Sequence, residues 1–444
     1  MQKGELMKTC LLYPDLMEFP SFFDKCGGII SRRRAFLVPL GILYLISNSS
    51  KIIDFIDNRI TRYSDEELHN KLKDYDVVGF GGTVTEIKQA KNVARLLRES
   101  GVTTIYGGPN ATINCNQYVN DFDVIVKGEG EITFDEVLNS LENEEPLDNI
   151  PGISYKKGGK IVHNPDRPFI QDLDILKYPS REILDLEKYS RAKSTYLHMS
   201  PMDTVLTSRG CPFMCTFCAS KLIWKQTHRK RCAETVVKEI KYLMDNFGTK
   251  SLYFREDLFT IPREWVLKFC ELVKPLGIEW MCESRVDTVD KEMLNAMKDA
   301  GCTGMWFGIE SCSNTTLKLI NKRITIEKAQ ETIKNCNEVD IICGATFIFG
   351  FPHETREDIL FNFEEAKKLG LNRIGFNRLI GFPRSELYDL FKREGLDRYE
   401  YEGIIVPDTR YMHADEVTDL GYSKFPEIMD YNESHTIYTS LIQK

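Results

Sequence analysis

The sequence predicts an α/β protein with two parallel sheets: an open one covered by helices on both faces, then a partial barrel of six β/α units. Three observations carry this. Short apolar runs of β-branched character alternate with helical patterns twice along the chain. Six of the 17 prolines fall between Pro146 and Pro201, which separates the two series. The 444 residues suit two or three domains at roughly 150 residues each.

In the first series, residues 10–13, 51–57, 76–80, 103–106 and 123–126 read as strands, and 39–47, 64–73, 86–99 and 131–141 as helices. Strand, helix and strand at this spacing give a parallel sheet. Such sheets bind ligands beyond the carboxyl ends of their strands. That edge carries Tyr13-Pro14, Gly81-Gly82-Thr83-Val84-Thr85, Gly107-Gly108-Pro109-Asn110 and Gly128-Glu129-Gly130-Glu131. Glycine at each turn lets backbone come close to a bulky ligand.

The proline-rich stretch, with a small hairpin turning at 156–160, reads as an irregular linker. The expected domains are 1–145, a linker 146–200, a barrel 201–384 and a C-terminal extension 385–444. In the barrel, residues 204–208, 251–255, 279–283, 304–309, 342–349 and 373–378 read as strands. Val236, Val237, Ile240, Leu243, Met244 and Phe247 form one helical stripe, with Gly248 as its C-cap. Six units are too few for a closed eight-fold barrel, so a partial barrel is expected, with its chemistry at the strands' carboxyl ends.

Composition narrows the function. A 42% hydrophobic content excludes global disorder, and no apolar run approaches the ~18 residues of a membrane span. A net charge of −8 argues against a nucleic-acid coat. Residues 1–9 are charged and lack an apolar signal region, so a cytoplasmic location is expected. In a reducing compartment the thirteen cysteines are not a disulfide framework, and clustered ones are metal ligands.

One such cluster exists. Cys211, Cys215 and Cys218 lie within eight residues just after the first barrel strand. Three thiolates on one loop can hold an iron–sulfur cluster. A [4Fe–4S] cube then keeps one iron open for a substrate or cofactor. Zinc would call for two separated cysteine pairs or added histidine. The Cys-x-x-x-Cys-x-x-Cys pattern, with aromatic Phe217 before its last cysteine, resembles the cluster motif of the radical S-adenosylmethionine (SAM) superfamily. The resemblance spans roughly residues 202–390. It implies that the open iron chelates the amino and carboxylate groups of SAM. It further implies that Glu256 or Asp257, ending the second strand, accepts from the SAM ammonium. Arg285 would pair with the SAM carboxylate, and Glu310 would lie at the ribose. The second strand ends Phe254-Arg255-Glu256-Asp257 in place of the family's Gly-Gly-Glu, so the choice between the two carboxylates stays open.

The N-terminal pieces resemble the cobalamin-binding domain found ahead of some radical SAM barrels. The full expectation is a Rossmann-like cobalamin-binding domain followed by a partial (β/α)6 radical SAM barrel and a short tail. Tyr13, Thr83, Thr85, Gly107, Gly108, Pro109, Glu129 and Gly130 are the expected cobalamin contacts. Many cobalamin proteins use an Asp-x-His-x-x-Gly loop, but the loop after the first strand has no histidine, and the domain's one histidine is His69 on a helix. A His-off cobalamin is implied. A rival resemblance, to methylthiotransferases, would use Cys10, Cys26 and Cys115 for a second cluster, yet Cys10 falls inside a strand. Cys312 lies near the site edge. The basic stretches Arg32-Arg33-Arg34 and 225–231 read as solvated faces.

The implied activity is methylation of an unactivated carbon of a small-molecule or natural-product intermediate, using a 5′-deoxyadenosyl radical and methylcobalamin. A rearrangement, cyclisation or oxidation on the same architecture is the alternative. The cofactors would be a [4Fe–4S] cluster, SAM and cobalamin, and the partner an external electron donor of flavodoxin or ferredoxin type.

Overall fold

The computed structural model describes residues 7–15, 37–189 and 197–428. Cys26 and Arg32-Arg33-Arg34 lie outside them. The chain divides into two compact units, Met1–Tyr189 and Ser190–Lys444.

The first unit holds a seven-stranded sheet of order β2-β1-β3-β4-β5-β6-β7. Its parallel strands are β1 (Thr9–Tyr13), β2 (Ile53–Asp57), β3 (Val77–Phe80), β4 (Thr103–Gly107) and β5 (Val124–Val126). They lie where the apolar runs put them. Alternate side chains enter different cores. Cys10, Leu12, Val78 and Phe80 pack on one face, and Leu11, Val77, Ile105 and Val124 on the other. A sheet buried on both faces needs such continuous apolar strands. The helix Asp65–Leu72 opens with a Ser64/Glu67 capping box. The helix Ile87–Glu99 buries Ile87, Ala90, Val93, Ala94 and Leu97 on one stripe.

The hairpin read in the linker is real, and it extends this sheet. β6 (Ile153–Lys157) pairs antiparallel with β5, and β7 (Lys160–His163) with β6. Residues 146–189 thus belong to the first compact unit. Proline density marks irregular backbone but does not reveal a docking strand.

The second unit is a curled half-barrel of six parallel strands, order β15-β14-β13-β12-β11-β8. These are β8 (Met202–Thr204), β11 (Ser251–Phe254), β12 (Glu279–Ser284), β13 (Cys302–Glu310), β14 (Ile342–Phe349) and β15 (Arg373–Arg378). One face of the strands, including Phe254, Met305, Phe307, Phe347 and Phe376, packs under the outer helices in a single core. The first strand departs from expectation. It ends at Thr204, and β9 (Ser208–Arg209) pairs instead with β10 (Arg229–Lys230). The backbone N–H groups of Thr207 and Ser208 are drawn to a buried carboxylate, Glu256, which takes this segment out of the barrel ladder.

The extension after residue 385 also departs from a short mixed tail. Its helix Ala414–Ser423 puts Val417 and Leu420 into the barrel core. A β-carbon on Gly421 would overlap the Phe349 ring at 2.2 Å, so the helix packs at glycine distance. No helix among the described residues is long and apolar enough to cross a membrane.

Trp280 is fully buried, packs on Phe254, Phe259 and Phe269, and donates its indole N–H to Ala300 O at 2.8 Å. Trp280→Ala should lower unfolding stability by about 3–5 kcal/mol. All four tryptophans lie in this unit, so urea unfolding followed by tryptophan fluorescence reads the change in the full chain.

Candidate active site at the half-barrel edge

The three thiols sit on the loop between β9 and β10. Cys215 is buried, and Cys211 and Cys218 are half-buried. Burial pushes the Cys218 thiol up to about 12 and raises Cys211 in the same direction. Iron binding displaces such protons, because the thiolate is the ligand. Among the described residues no three His, Cys, Asp or Glu side chains are grouped to hold one metal ion. A cubane differs from a single ion, since each cysteine takes a different iron. Three soft sulfur donors on one loop fit that group.

Three struts hold the loop. The first is Glu256, just past the end of β11 and almost fully buried. It accepts from Thr207 N at 2.7 Å, Thr207 Oγ1 at 2.5 Å and Ser208 N at 2.7 Å. Lys230 Nζ stands 3.6 Å from its Oε1. Lys230 lies over the rings of Phe259 and Trp265, and burial pulls its ammonium down to about 8 against the attraction of Glu256. The second strut is the segment 320–322. Thr216 N donates to Ile320 O at 3.0 Å, and Asn321 Nδ2 to Met214 O at 2.9 Å. The third is Arg285, whose guanidinium lies 3.7 Å over the Phe213 ring and forms a fork on Asp287.

The remaining residues expected at SAM gather on the same edge. Asp257 is reached by solvent, yet the crowding protein removes enough water to hold its carboxyl above the usual carboxylate range. Its Oδ2 accepts from Ser220 Oγ at 2.7 Å. Glu310 ends β13 at a register shift and has a left-handed φ of 74°. Backbone strain of this kind typically costs about 1–3 kcal/mol and persists where the surroundings enforce it. The Glu310 carboxylate holds Lys322 at 2.8 Å in a buried ion pair. Lys322 Nζ also lies 6.0 Å from the Phe217 ring. On the strands' other face, Tyr253 donates to Glu283, and burial raises the Glu283 carboxyl.

Several residues escaped the sequence reading: Phe213, Ser220, Lys230, Asp287 and Lys322. The stretch 225–231 is a solvated face only at Lys225 and Gln226. Arg229 and Arg231 are buried, Arg231 paired to Glu239 at 2.5 Å, and the Lys230 side chain is enclosed although its residue as a whole is half-buried. The pattern of charges gave no signal, because its counter-charges come from distant helices and strand ends. Cys312 is packed in the core, and burial pushes its thiol up to about 12. Cys10 is fully buried in β1 with its thiol also pushed up to about 12.

In the first unit the expected residues do collect at one carboxyl edge. The Tyr13 ring lies under Arg59, 3.9 Å away, and Arg59 is paired with Asp57. Thr83 and Thr85 donate their hydroxyls to Glu86, at 2.9 and 2.6 Å. Gly108 has a φ of +107°, and a β-carbon there would stand 3.1 Å from Gly82 O, so two turns lean together. Thr112 Oγ1 links the next two turns, donating to Gly108 O and accepting from Gly128 N, both at 2.9 Å. Glu129 accepts from Ile170 N at 2.7 Å, and Gly130 packs on Leu45. Pro109 opens the helix Pro109–Ile113. Gly107 meets only Val126, at an ordinary 3.7 Å. His69 pairs with Ser100, away from this edge, and His163 of β7 pairs with Ser154 of β6. A cavity of about 420 Å³ lies at the opposite, amino-terminal edge around Asp74, Asp76 and Ser100, which is not where such sheets bind cofactors.

Residues 205–366 match the model of the radical SAM superfamily. Over 363 residues the chain is 34% identical to PH0819 of Pyrococcus horikoshii, an uncharacterised methyltransferase, covering 79% of this chain and 78% of that protein. It is 27% identical over 361 residues to the anaerobic magnesium-protoporphyrin IX monomethyl ester cyclase of Rubrivivax gelatinosus, covering 78% of this chain and 64% of that one. The structure of TsrM from Kitasatospora setae, a radical SAM methyltransferase with cobalamin and a [4Fe–4S] cluster bound, matches with a TM-score of 0.73. That match covers 91% of this chain and 83% of the other at 16% identity, a likeness of fold. The half-barrel with its three-thiol loop is that of a radical SAM enzyme. The chain belongs to the radical SAM superfamily, in a methyltransferase-like branch, and has the fold of its cobalamin-dependent members. The superfamily's cofactors are a [4Fe–4S] cluster and SAM.

Anaerobic reconstitution should give about four irons per chain, and Cys215→Ala none, by the stoichiometry of a cysteine-held cubane. Glu256→Gln leaves Lys230 buried without its counter-ion. It should cost about 3–5 kcal/mol and sharply reduce retained iron. Iron analysis beside thermal unfolding checks both, and full iron with unchanged stability would show that Glu256 does not hold the loop.

Proposed function

We propose that the chain is a cobalamin-dependent radical SAM methyltransferase acting on an unactivated carbon of a small-molecule or natural-product intermediate. The observation that carries this reading is the pairing, in one chain, of the strutted three-cysteine loop with a histidine-free, glycine-rich sheet edge. The relative named as a methyltransferase, similar over most of both chains, supports methyl transfer over the cyclase alternative. When bound, the cluster, SAM and cobalamin supply a carbon-centred radical and a methyl donor.

The chain's own residues bind and orient. Cys211, Cys215 and Cys218 would hold the cluster through three of its irons. Asp257 accepts from the SAM ammonium in preference to Glu256. The oxygens of Glu256 already take two backbone N–H groups, a hydroxyl and a nearby ammonium, whereas Asp257 makes one bond to Ser220 at the solvent-reached mouth. Phe217 and the Glu310–Lys322 pair flank the ribose side. At the first unit's edge, Gly107 leaves backbone room for a wide ring and its tail, and Gly108 keeps the adjoining turn close against Gly82. Thr83 and Thr85 already donate to Glu86, so they offer lone pairs. The turns at that edge offer no histidine that would hold the cobalt were cobalamin bound. An external electron donor of flavodoxin or ferredoxin type would supply the electron that a bound cluster needs.

Two experiments test this. Purified protein should bind about one cobalamin with a base-off, His-off spectrum, by the lack of an imidazole ligand. Gly107→Val, tolerated by its ordinary surroundings, should lose cobalamin and keep the iron–sulfur absorbance. Methyl-labelled SAM should then pass its label to a candidate metabolite, read by mass spectrometry. Failure to bind cobalamin sinks the methyltransferase reading.

The carboxylate assignment has its own test. Asp257→Asn should weaken SAM binding by about one to two orders of magnitude, since a charge-assisted bond is worth roughly 1.5–3 kcal/mol. Iron content should not change. Equilibrium binding of SAM to the reconstituted variant reads it.

A further inference from the structure

Arg285 was expected at the SAM carboxylate, but its guanidinium is directed elsewhere. The residue is 4% exposed. Nε and Nη2 fork onto Asp287 at 2.9 Å each, and Nη2 also donates to Lys322 O at 2.7 Å. A guanidinium has five N–H donors in a rigid plane. These bonds use the donors of Nε and Nη2, so the plane's direction is set by Asp287 and Lys322. The same plane stacks on Phe213, which lies between Cys211 and Cys215. Nη1 is the end left over, and its partner is Cys215 Sγ at 3.9 Å.

We propose that Arg285 is a positioning residue of the iron–sulfur cluster: its Nη1–H donates to the iron-bound Cys215 sulfur and raises the potential at which the cluster accepts an electron. The argument is electrostatic. One-electron reduction adds negative charge to the cluster and its sulfurs. A hydrogen bond and a cation at a ligating sulfur stabilise that reduced form. The effect is strong at a buried position, where water does not screen it. Asp287 tempers the positive charge while fixing its direction. The inference concerns the cluster alone and goes beyond the proposed methyl transfer, so it stands or falls separately from cobalamin.

The test is an EPR-monitored redox titration of the reconstituted full chain, without SAM, using dithionite as the electron donor. At the potential that half-reduces the wild type, Arg285→Gln should lower the reduced-to-oxidised ratio about tenfold, equivalent to about 59 mV for one electron. Arg285→Lys should recover part of that shift by keeping the charge. Asp287→Asn should move the potential the other way, because the guanidinium loses its counter-charge. SAM affinity of Arg285→Lys should change by less than about twofold, well under 1 kcal/mol. An unchanged potential in Arg285→Gln overturns the proposal, and a simultaneous loss of SAM affinity would assign the arginine to the SAM carboxylate. If Arg285→Gln fails to retain iron, Asp287→Asn decides, and no positive shift there overturns the proposal.

Discussion

The half-barrel's chemistry depends on one buried carboxylate. Glu256 takes two backbone N–H groups and a hydroxyl from Thr207 and Ser208, with Lys230 balancing its charge. These bonds are charge-assisted and shielded from water, so each is stronger than an exposed equivalent. They also explain a backbone choice. A parallel strand through 205–208 would leave the Glu256 carboxylate buried without donors, a larger loss than a few ladder bonds. The chain leaves the barrel at Thr204, turns its amides to Glu256 and delivers Cys211 to the edge.

The same logic runs across the neighbouring strand ends. Arg285 after β12, and Glu310 at the end of β13 with Lys322, are buried and bonded to their own chain. Glu310 combines a left-handed backbone with its ion pair to Lys322. Such a site is organised before any ligand arrives, which spares the reordering that binding otherwise requires. Asp257 stands out against this background, solvent-reached and bonded to the Ser220 hydroxyl.

Most of the architecture was legible because it rests on local patterns. Apolar runs of four to eight residues between helical stripes place β1 through β5 and β11 through β15 within a few residues of their positions. The cysteine motif was legible because all three ligands share one loop. What was not legible is non-local. Nothing around Lys230 announces that Glu256, Phe259 and Trp265 will enclose it, so a basic run looked solvated. Nothing near Arg285 announces that Asp287 will turn it toward Cys215. The docking of β6 and β7 onto the first sheet, and of the helix Ala414–Ser423 onto the barrel, depends on partners far away in sequence. The choice between Glu256 and Asp257 was open for the same reason: adjacent carboxylates are alike until their surroundings separate them.

The first unit's edge shows how such surroundings also constrain a reading. Its glycines do two different jobs. Gly108 and Gly130 are needed by the protein itself, since a β-carbon would press on Gly82 or Leu45, while Gly107 faces ordinary contact distances. The charged groups nearby, Asp57, Arg59 and Glu86, are matched by Tyr189, Tyr13, Thr83 and Thr85. Among the described residues, Asp57 and Arg59 pair with each other, and the Glu86 carboxylate is taken up by the Thr83 and Thr85 hydroxyls. What the edge offers is backbone, hydroxyl lone pairs and shape. On the proposed cobalamin reading, such an edge suits a wide ring better than a compact anion, and Gly107, whose surroundings stand at ordinary contact distances, rather than any charged side chain, is its proposed contact.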